Sequence, residues 1–146
     1  MNLYLAAPFF DAHQNETLNK IEGLLMSLGF TVISPRKSGL ILKEMTQQQR
    51  ELAAPIVYKK NITDIRSSST MLAVIDDFDP GTMWEMGYGA CFGIDIYTFS
   101  DKGYGLNVML AGCSKGHAKG MTQLREMLNA VKNGAETNKF TADAAT

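Results

Sequence analysis

The chain has 146 residues, 45% hydrophobic and 20% charged, enough to bury one sizeable core as a single domain. Its 14 Lys and Arg against 15 Asp and Glu leave a net charge of −1, which argues against nucleic-acid or membrane-surface binding, since both need a concentrated basic field. No run reaches the roughly 18–20 apolar residues of a membrane span, MNLYLAAPFFDAHQ lacks the basic start of a secretory leader, and Cys91 and Cys113 form neither CxxC nor a plausible zinc site.

Asn2 to Ala7 reads as a short buried strand broken by Pro8. Leu18, Ile21, Leu24, Leu25 and Leu28 recur at helical spacing, and Gly29 is placed to end that helix. Phe30 to Ser34, stopped by Pro35, predicts the second strand. Arg36 to Ala54 is ambiguous, with QQQRELAA prone to helix and KSGLILKEM to loop. Pro55 fits the first turn of a helix through Ser67, with Ile56, Ile62 and Ile65 on its inner face.

Met71 to Ile75 is the clearest buried strand. It runs into Asp76-Asp77-Phe78-Asp79-Pro80-Gly81 and then a helix from Thr82 to about Phe92. Ile94 to Phe99 predicts a fourth strand, the loop DKGYG leads to Leu106–Leu110, and Met121 to Val131 reads as the last helix. Ser114 to Gly120 carries only a weak strand signal. The domain is expected over residues 1–132, and 133–146 reads as a polar, disordered tail. Alternating strands and helices imply an α/β fold, an open and mostly parallel sheet of about five strands with helices on both faces. In such sheets ligands bind beyond the carboxyl ends of the strands.

The strongest chemical signal lies at one of those ends. Three aspartates leave the MLAVI strand, and Glu85 follows early on the next helix. Two carboxylates in a strand-end cleft suit glycosyl transfer with retention, one attacking the anomeric carbon and one handling the leaving group's proton. A helix N-terminus is expected to keep Glu85 ionised. The competing structural role is a capping box, Thr82-x-x-Glu85. Gly87 and Gly89, costly inside a helix, suggest a close approach to that backbone. Tyr4 on the first strand points either at the cleft or into the core. Asn107, an amide in an apolar run, needs a partner. Arg36 and Lys37 suit a phosphate or plain solvent, and His13 and His117 are expected at the surface. No dinucleotide, P-loop, zincin or nucleophile-elbow motif occurs.

Five blocks together resemble the nucleoside 2-deoxyribosyltransferase family: Tyr4-Leu5-Ala6-Ala7-Pro8-Phe9-Phe10, Ser34-Pro35-Arg36, Asn61-Ile62-x-x-Ile65, Asp79-x-Gly81-Thr82-x-Trp84-Glu85-x-Gly87-Tyr88 and Leu106-Asn107-Val108-Met109. The resemblance implies a flavodoxin-like sheet and a ping-pong exchange of 2-deoxyribose between nucleobases in cytoplasmic nucleotide salvage. It casts Glu85 as the nucleophile of a covalent deoxyribosyl-enzyme, Tyr4 as its orienting hydroxyl and Asp79 as the proton-handling group at the leaving base. It places Asn107 on a sugar hydroxyl, in the site of a neighbouring subunit of a dimer or hexamer, with Met109 lining that pocket. Asn61, Pro8, Phe9, Arg36 and Gly81 fall in matching blocks and are expected to contact the deoxynucleoside or free base. The loop Lys37 to Ala54 is expected to cover the base. No metal or organic cofactor is expected.

Two positions depart from the family pattern. Asn61 stands where some members carry an aspartate implicated in base handling, and an amide cannot supply a proton as an acid would. Thr70 replaces a common acid before MLAVI. Two other functions remain to be weighed. One is a deoxynucleoside 5′-monophosphate N-glycosidase, which needs a phosphate pocket from Arg36 and Lys37, Ser67 to Ser69, or Ser114 and Lys115. The other is a nucleotide-sensing module without turnover.

Overall fold

The computed structural model describes residues 1–38 and 41–137 and the backbone of 144–145. In chain order the elements begin with β1 (Asn2–Ala6), α1 (Ala12–Ser27), β2 (Thr31–Ile33), α2 (Gln47–Arg66) and β3 (Thr70–Val74). They continue with α3 (Pro80–Phe92), β4 (Asp95–Ser100), β5 (Leu106–Asn107) and α4 (Val108–Cys113). The last are β6 (Ser114–Lys119), α5 (Gly120–Lys132) and β7 (Ala144–Ala145).

Five strands form one parallel sheet in the order β2-β1-β3-β4-β6, and β5 pairs with β7 in a separate two-stranded ribbon. This is the open parallel α/β sheet expected from the alternation of apolar runs, in the flavodoxin-like form that the family resemblance implies. Of the segment expected to be a disordered tail, Ala144 and Ala145 pair with Leu106 and Asn107, while 138–143 and 146 lie outside the described residues.

Strand parity decides what faces what. Leu3 and Leu5 point to one side, with Leu72, Phe99 and the inner stripes of α1 and α5. Tyr4 and Ala6 point to the other, with Met71, Ala73, Ile96, Ile65 of α2 and Met86 of α3. Side chains alternate along a strand, so Tyr4 belongs to the α3 side for the same reason that Leu3 does not. Each fully buried aliphatic side chain contributes about 1.5–3 kcal/mol, and both layers are continuous, so the sheet is a rigid platform for its carboxyl edge.

Three local expectations need correction, two in α2 and one at His117. Pro55 does not open a helix; it lies inside α2, which starts at the capping box of Thr46 and Gln49. The preceding QQQRELAA are helix formers, and Pro55 and Glu51 are exposed, so the carbonyl that the proline leaves unbonded meets water. The packed face of α2 runs through Ala53, Val57, Asn61 and Ile65, and Ile56 lies in solvent. Ser114 to Lys119 is a full edge strand, and His117 on it is buried rather than superficial. Its Nδ1 meets Thr98 Oγ1 at 2.9 Å and its Nε2 meets the Tyr104 carbonyl at 2.7 Å. A polar sequence can form this strand because its one large polar group is satisfied inside the fold. Among the described residues no helix is long and apolar enough to cross a membrane.

Candidate active site

The turn after β3 sets the site. Asp76 does not line the cavities at Glu85: its carboxylate accepts from Ser100 Oγ at 2.6 Å and from the Asp101 amide at 2.7 Å, fastening the end of β3 to the end of β4. Asp77 is tied to Lys102 at 2.6 Å and Gln14 at 3.0 Å. With both acids held, the backbone passes through two left-handed residues, Asp77 at φ 67° and Phe78 at φ 46°, a conformation costly for a phenylalanine. The chain then turns sharply into α3. Of the four acids between positions 76 and 85, only Asp79 and Glu85 line the cavity that opens there.

Asp79 is the N-cap of α3. Its Oδ2 accepts from the Thr82 amide at 2.8 Å and the Thr82 hydroxyl at 3.0 Å, with Pro80 at the helix start. The capping box anticipated between Thr82 and Glu85 therefore does not form. Asp79 takes that role earlier in the chain, Thr82 is a buried donor, and Glu85 is left without a capping duty.

Glu85 instead sits deep in α3 with its Oε2 buried and unpartnered, and the Tyr4 hydroxyl is in the same condition. The two groups do not meet hydrogen-bond geometry, yet they are close enough to act on each other. Burial raises the Glu85 carboxyl to about 7; the Tyr4 hydroxyl opposes the rise and the Asp79 charge adds to it. Glu85 was expected to stay ionised near a helix N-terminus. It lies beyond the first turn, where the dipole has faded, and loss of water decides the outcome. Burial and the facing Glu85 charge push the Tyr4 phenol far above its ordinary range.

Glu85 opens onto two cavities that meet at its carboxylate. The inner one, about 310 Å3, is walled by Phe9 and Phe10 after β1, by Ile41, Leu42 and Lys43 of the loop before α2, and by Asp79. The outer one, about 320 Å3, lies between Tyr58, Ile62 and Trp84. Asn61 and Gly81 border both. The site sits beyond the carboxyl ends of β1 and β3, whose outgoing connections run in opposite directions, to β2 and to β4, the place such sheets bind ligands.

The remaining sequence-derived candidates divide in two. Phe9, Asn61 and Gly81 line the Glu85 cavities, whereas Pro8 is buried against a small cleft beside Gln14 and Asp77. Arg36 is half-buried and bound to Glu22, with Nε to Oε1 at 3.0 Å and an Nη to Oε2 at 2.7 Å, and further to Asn15 and Asn19. Lys37 joins the same carboxylate at 3.0 Å. Burial pushes Glu22 up, but Arg36, Lys37 and Ser34 outweigh it and bring the carboxyl down to about 2. The structure thus gives Arg36 the task of fastening the loop after β2 to α1.

Asn107 and Met109 lie at the surface, away from Glu85 within one chain. Asn107 accepts from the Leu110 amide at 2.9 Å as the cap of α4, and Met109 is 76% exposed. The groups considered for a phosphate are engaged elsewhere. Ser67 and Ser68 donate to the Asp64 carbonyl and Ser69 to that of Asn2, at the amino edge of the sheet. Lys115 pairs with Asp95 at 2.5 Å. Among the described residues no group of three or more His, Cys, Asp and Glu could hold a metal ion.

Sequence reasoning did not single out Lys43, Val57, Tyr58 or Glu22. Val57 and Tyr58 lie one helical turn before Asn61 and Ile62, a spacing that was available once α2 had the right phase. Lys43 and Glu22 carry no local signal, because each is defined by a distant partner.

The fold and the site together define a flavodoxin-like α/β protein with a carboxylate pair at the switch point of its sheet. The chain belongs to the nucleoside 2-deoxyribosyltransferase family, whose profile matches residues 3–141. It is similar to a 2-deoxyribosyltransferase of Bacillus psychrosaccharolyticus, 26% identical over 100% of both chains, with a TM-score of 0.76. A conserved protein of Enterococcus faecalis shares the fold at 15% identity and a TM-score of 0.68, over 92% of this chain and 98% of that one. So does a CMP N-glycosidase of Clostridium botulinum, at 14% identity and a TM-score of 0.61, over 88% and 99%. No match is found among the curated proteins.

Proposed function

We propose that this protein transfers 2-deoxyribose between nucleobases by a retaining, two-step exchange on Glu85. The observation that carries the reading is the Glu85 carboxylate: buried, free of any capping bond, and open to two cavities large enough for a nucleoside's two parts. In the first step a Glu85 oxygen bonds to C1′ while the C1′–N bond breaks and its electron pair leaves with the base. In the second, a nitrogen of the incoming base bonds to C1′ and Glu85 departs as carboxylate. Tyr4 fixes the direction of the nucleophile from the strand side, and Asp79, adjacent in the same cavity, serves the base. The cationic transition state is favoured by the charges of Glu85 and Asp79, which line the same cavity.

Homo-oligomerisation is part of the same reading. Asn107 and Met109 are surface residues of each chain, and a second copy could bring them to the outer cavity. The nucleotide N-glycosidase reading draws less support, since its candidate phosphate ligands are paired or lie at the opposite edge of the sheet.

The test is base exchange. Protein incubated with a deoxynucleoside and a different free base is expected to form the new deoxynucleoside, and quenching with a slow 2-fluoro deoxynucleoside is expected to raise the intact mass by one sugar. Free base without a new nucleoside would identify a hydrolase. Binding with neither turnover nor mass shift would identify a sensor.

A further inference from the structure

We propose that Lys43 selects the nucleobase, its ammonium receiving the exocyclic oxygen of a 6-oxopurine or 4-oxopyrimidine ring at the rim of the inner cavity. The inference rests on the transferase reading of the Glu85 site. The inner cavity is the one suited to a planar ring, lined by Phe9 and Phe10, stacked on each other at 5.5 Å, and by the apolar Ile41, Leu42 and Val57. Lys43 lines this cavity and also the open basin that adjoins it. Its Nζ donates to the Phe10 carbonyl at 2.5 Å, which pins the ammonium between the two loops and leaves further N–H donors. Arg36 and Lys37 border the same basin, but both are bound to Glu22. Among the described residues Lys43 has no carboxylate partner.

The chemistry needs such a group. When Glu85 bonds to C1′ and the C1′–N bond breaks, its electron pair stays on the base. In a 6-oxopurine or a 4-oxopyrimidine that charge spreads to the exocyclic oxygen, where a fixed ammonium stabilises it before the base takes a proton from water. Lys43 keeps its own proton throughout. In the return step the incoming base gives its proton to water as its nitrogen bonds to C1′. Asn61, beside the same cavity, has no acidic proton to give, and Asp79 Oδ2 is held by Thr82. An amino group at the same ring position meets the ammonium donor to donor, so rings carrying one are disfavoured.

The experiment compares kcat/KM for base release from deoxyinosine against deoxyadenosine, and from deoxyuridine against deoxycytidine. It uses the unaltered protein, Lys43→Met, Lys43→Gln as a second uncharged variant, and Lys43→Arg. The unaltered protein is expected to favour the oxo member of each pair. Lys43→Met and Lys43→Gln should lower that preference roughly ten- to a hundredfold, by slowing the oxo nucleosides and relieving the clash with the amino ones, and Lys43→Arg should retain it. An equal fall for all four nucleosides would reduce Lys43 to a clasp between loops, and an unchanged ratio would remove any role in selection; either overturns the proposal. Absence of base release from all four by the unaltered protein would overturn the transferase reading itself, a failure distinct from the other two.

Discussion

Glu85 is one of the few acids in the chain whose environment works against its charge. Its carboxyl near 7 must lose a proton before it can attack, so kcat/KM should rise about tenfold per pH unit up to about pH 7 and level off above it. A profile flat from pH 5 to 8 would remove Glu85 from the chemistry. The same shift sets a stability effect of fixed sign. The folded-state value lies above the 4.5 of a free carboxyl, so the folded chain holds an extra proton between those limits. Stability from this group is therefore complete below about pH 4.5 and is lost as pH rises through 7. Glu85→Gln should abolish at least about 10³-fold of the transfer rate. It should also raise the melting temperature at pH 8, by on the order of 1–3 kcal/mol of stability, and leave it unchanged near pH 4. A lower melting temperature at pH 8 with activity preserved would mean that Glu85 has a structural role.

Arg36 and Glu22 form the opposite kind of pair, in which burial is compensated. Arg36→Ala would leave the buried Glu22 carboxylate only Lys37 and Ser34 as partners and should cost about 1.5–3 kcal/mol, measured by chemical denaturation. Because the Glu22 carboxyl is held down near 2, that stabilisation is present above about pH 4.5 and fades as pH falls toward 2. A loss below about 1 kcal/mol would mark the pair as an ordinary solvated contact.

At the scale of elements, α3 shows how local rules and packing divide the work. Its start is set by Asp79 and Pro80, and its end by Gly93 in the left-handed conformation at φ 93°. Within it, Gly89 is needed for packing: a Cβ there would lie 2.9 Å from the Met71 methyl carbon of β3 and 3.5 Å from Ile96 of β4. Gly87 was expected to share that role, but a Cβ there would meet nothing within 4 Å. Gly87→Ala should accordingly stabilise by up to about 1 kcal/mol, while Gly89→Ala should gain less or lose stability because Met71 must move. Equal gains in thermal unfolding would show that β3 and α3 are not tightly apposed at Gly89. Helix α2 teaches a related lesson. Its proline looked like a beginning because proline is favoured there, yet the stronger Thr46–Gln49 box lies upstream, and an exposed proline costs a helix less than a buried one.

For the whole molecule, the outer faces of α2 and α3 carry a row of aromatic rings, Tyr58, Trp84, Tyr88 and Phe92, with Trp84 and Tyr88 stacked at 5.4 Å and Arg66 against the last two. Trp84 and Phe92 are about half exposed, so this row of rings faces solvent. If Asn107 acts in a neighbour's site, mixing Glu85→Gln with Asn107→Ala should restore activity, because a mixed assembly contains one site with Glu85 and Asn107 both intact. Activity no greater than the sum of the separate variants would place Asn107 outside catalysis, and Phe92→Asp, which lies off both cavities, should then leave turnover untouched.

The sequence by itself determined the alternation of elements, the parallel sheet and the strand end at which the acids gather, because apolar runs of period two or 3.6 depend only on neighbours along the chain. Parity sets Tyr4 opposite Leu3 and Leu5, and the packing of α2 and α3 decides which layer that is. What the tertiary structure decided were the partners. Asp76 and Asp77 leave the site because Ser100, Lys102 and Gln14 lie across the fold, and His117 goes inside because Thr98 and the Tyr104 carbonyl receive it. Glu85 is freed from capping and raised toward neutrality because burial and Asp79 act through space. Hydrogen bonds and desolvation depend on atoms remote in sequence, so a residue type can announce a chemistry, but only packing says which of several like residues performs it.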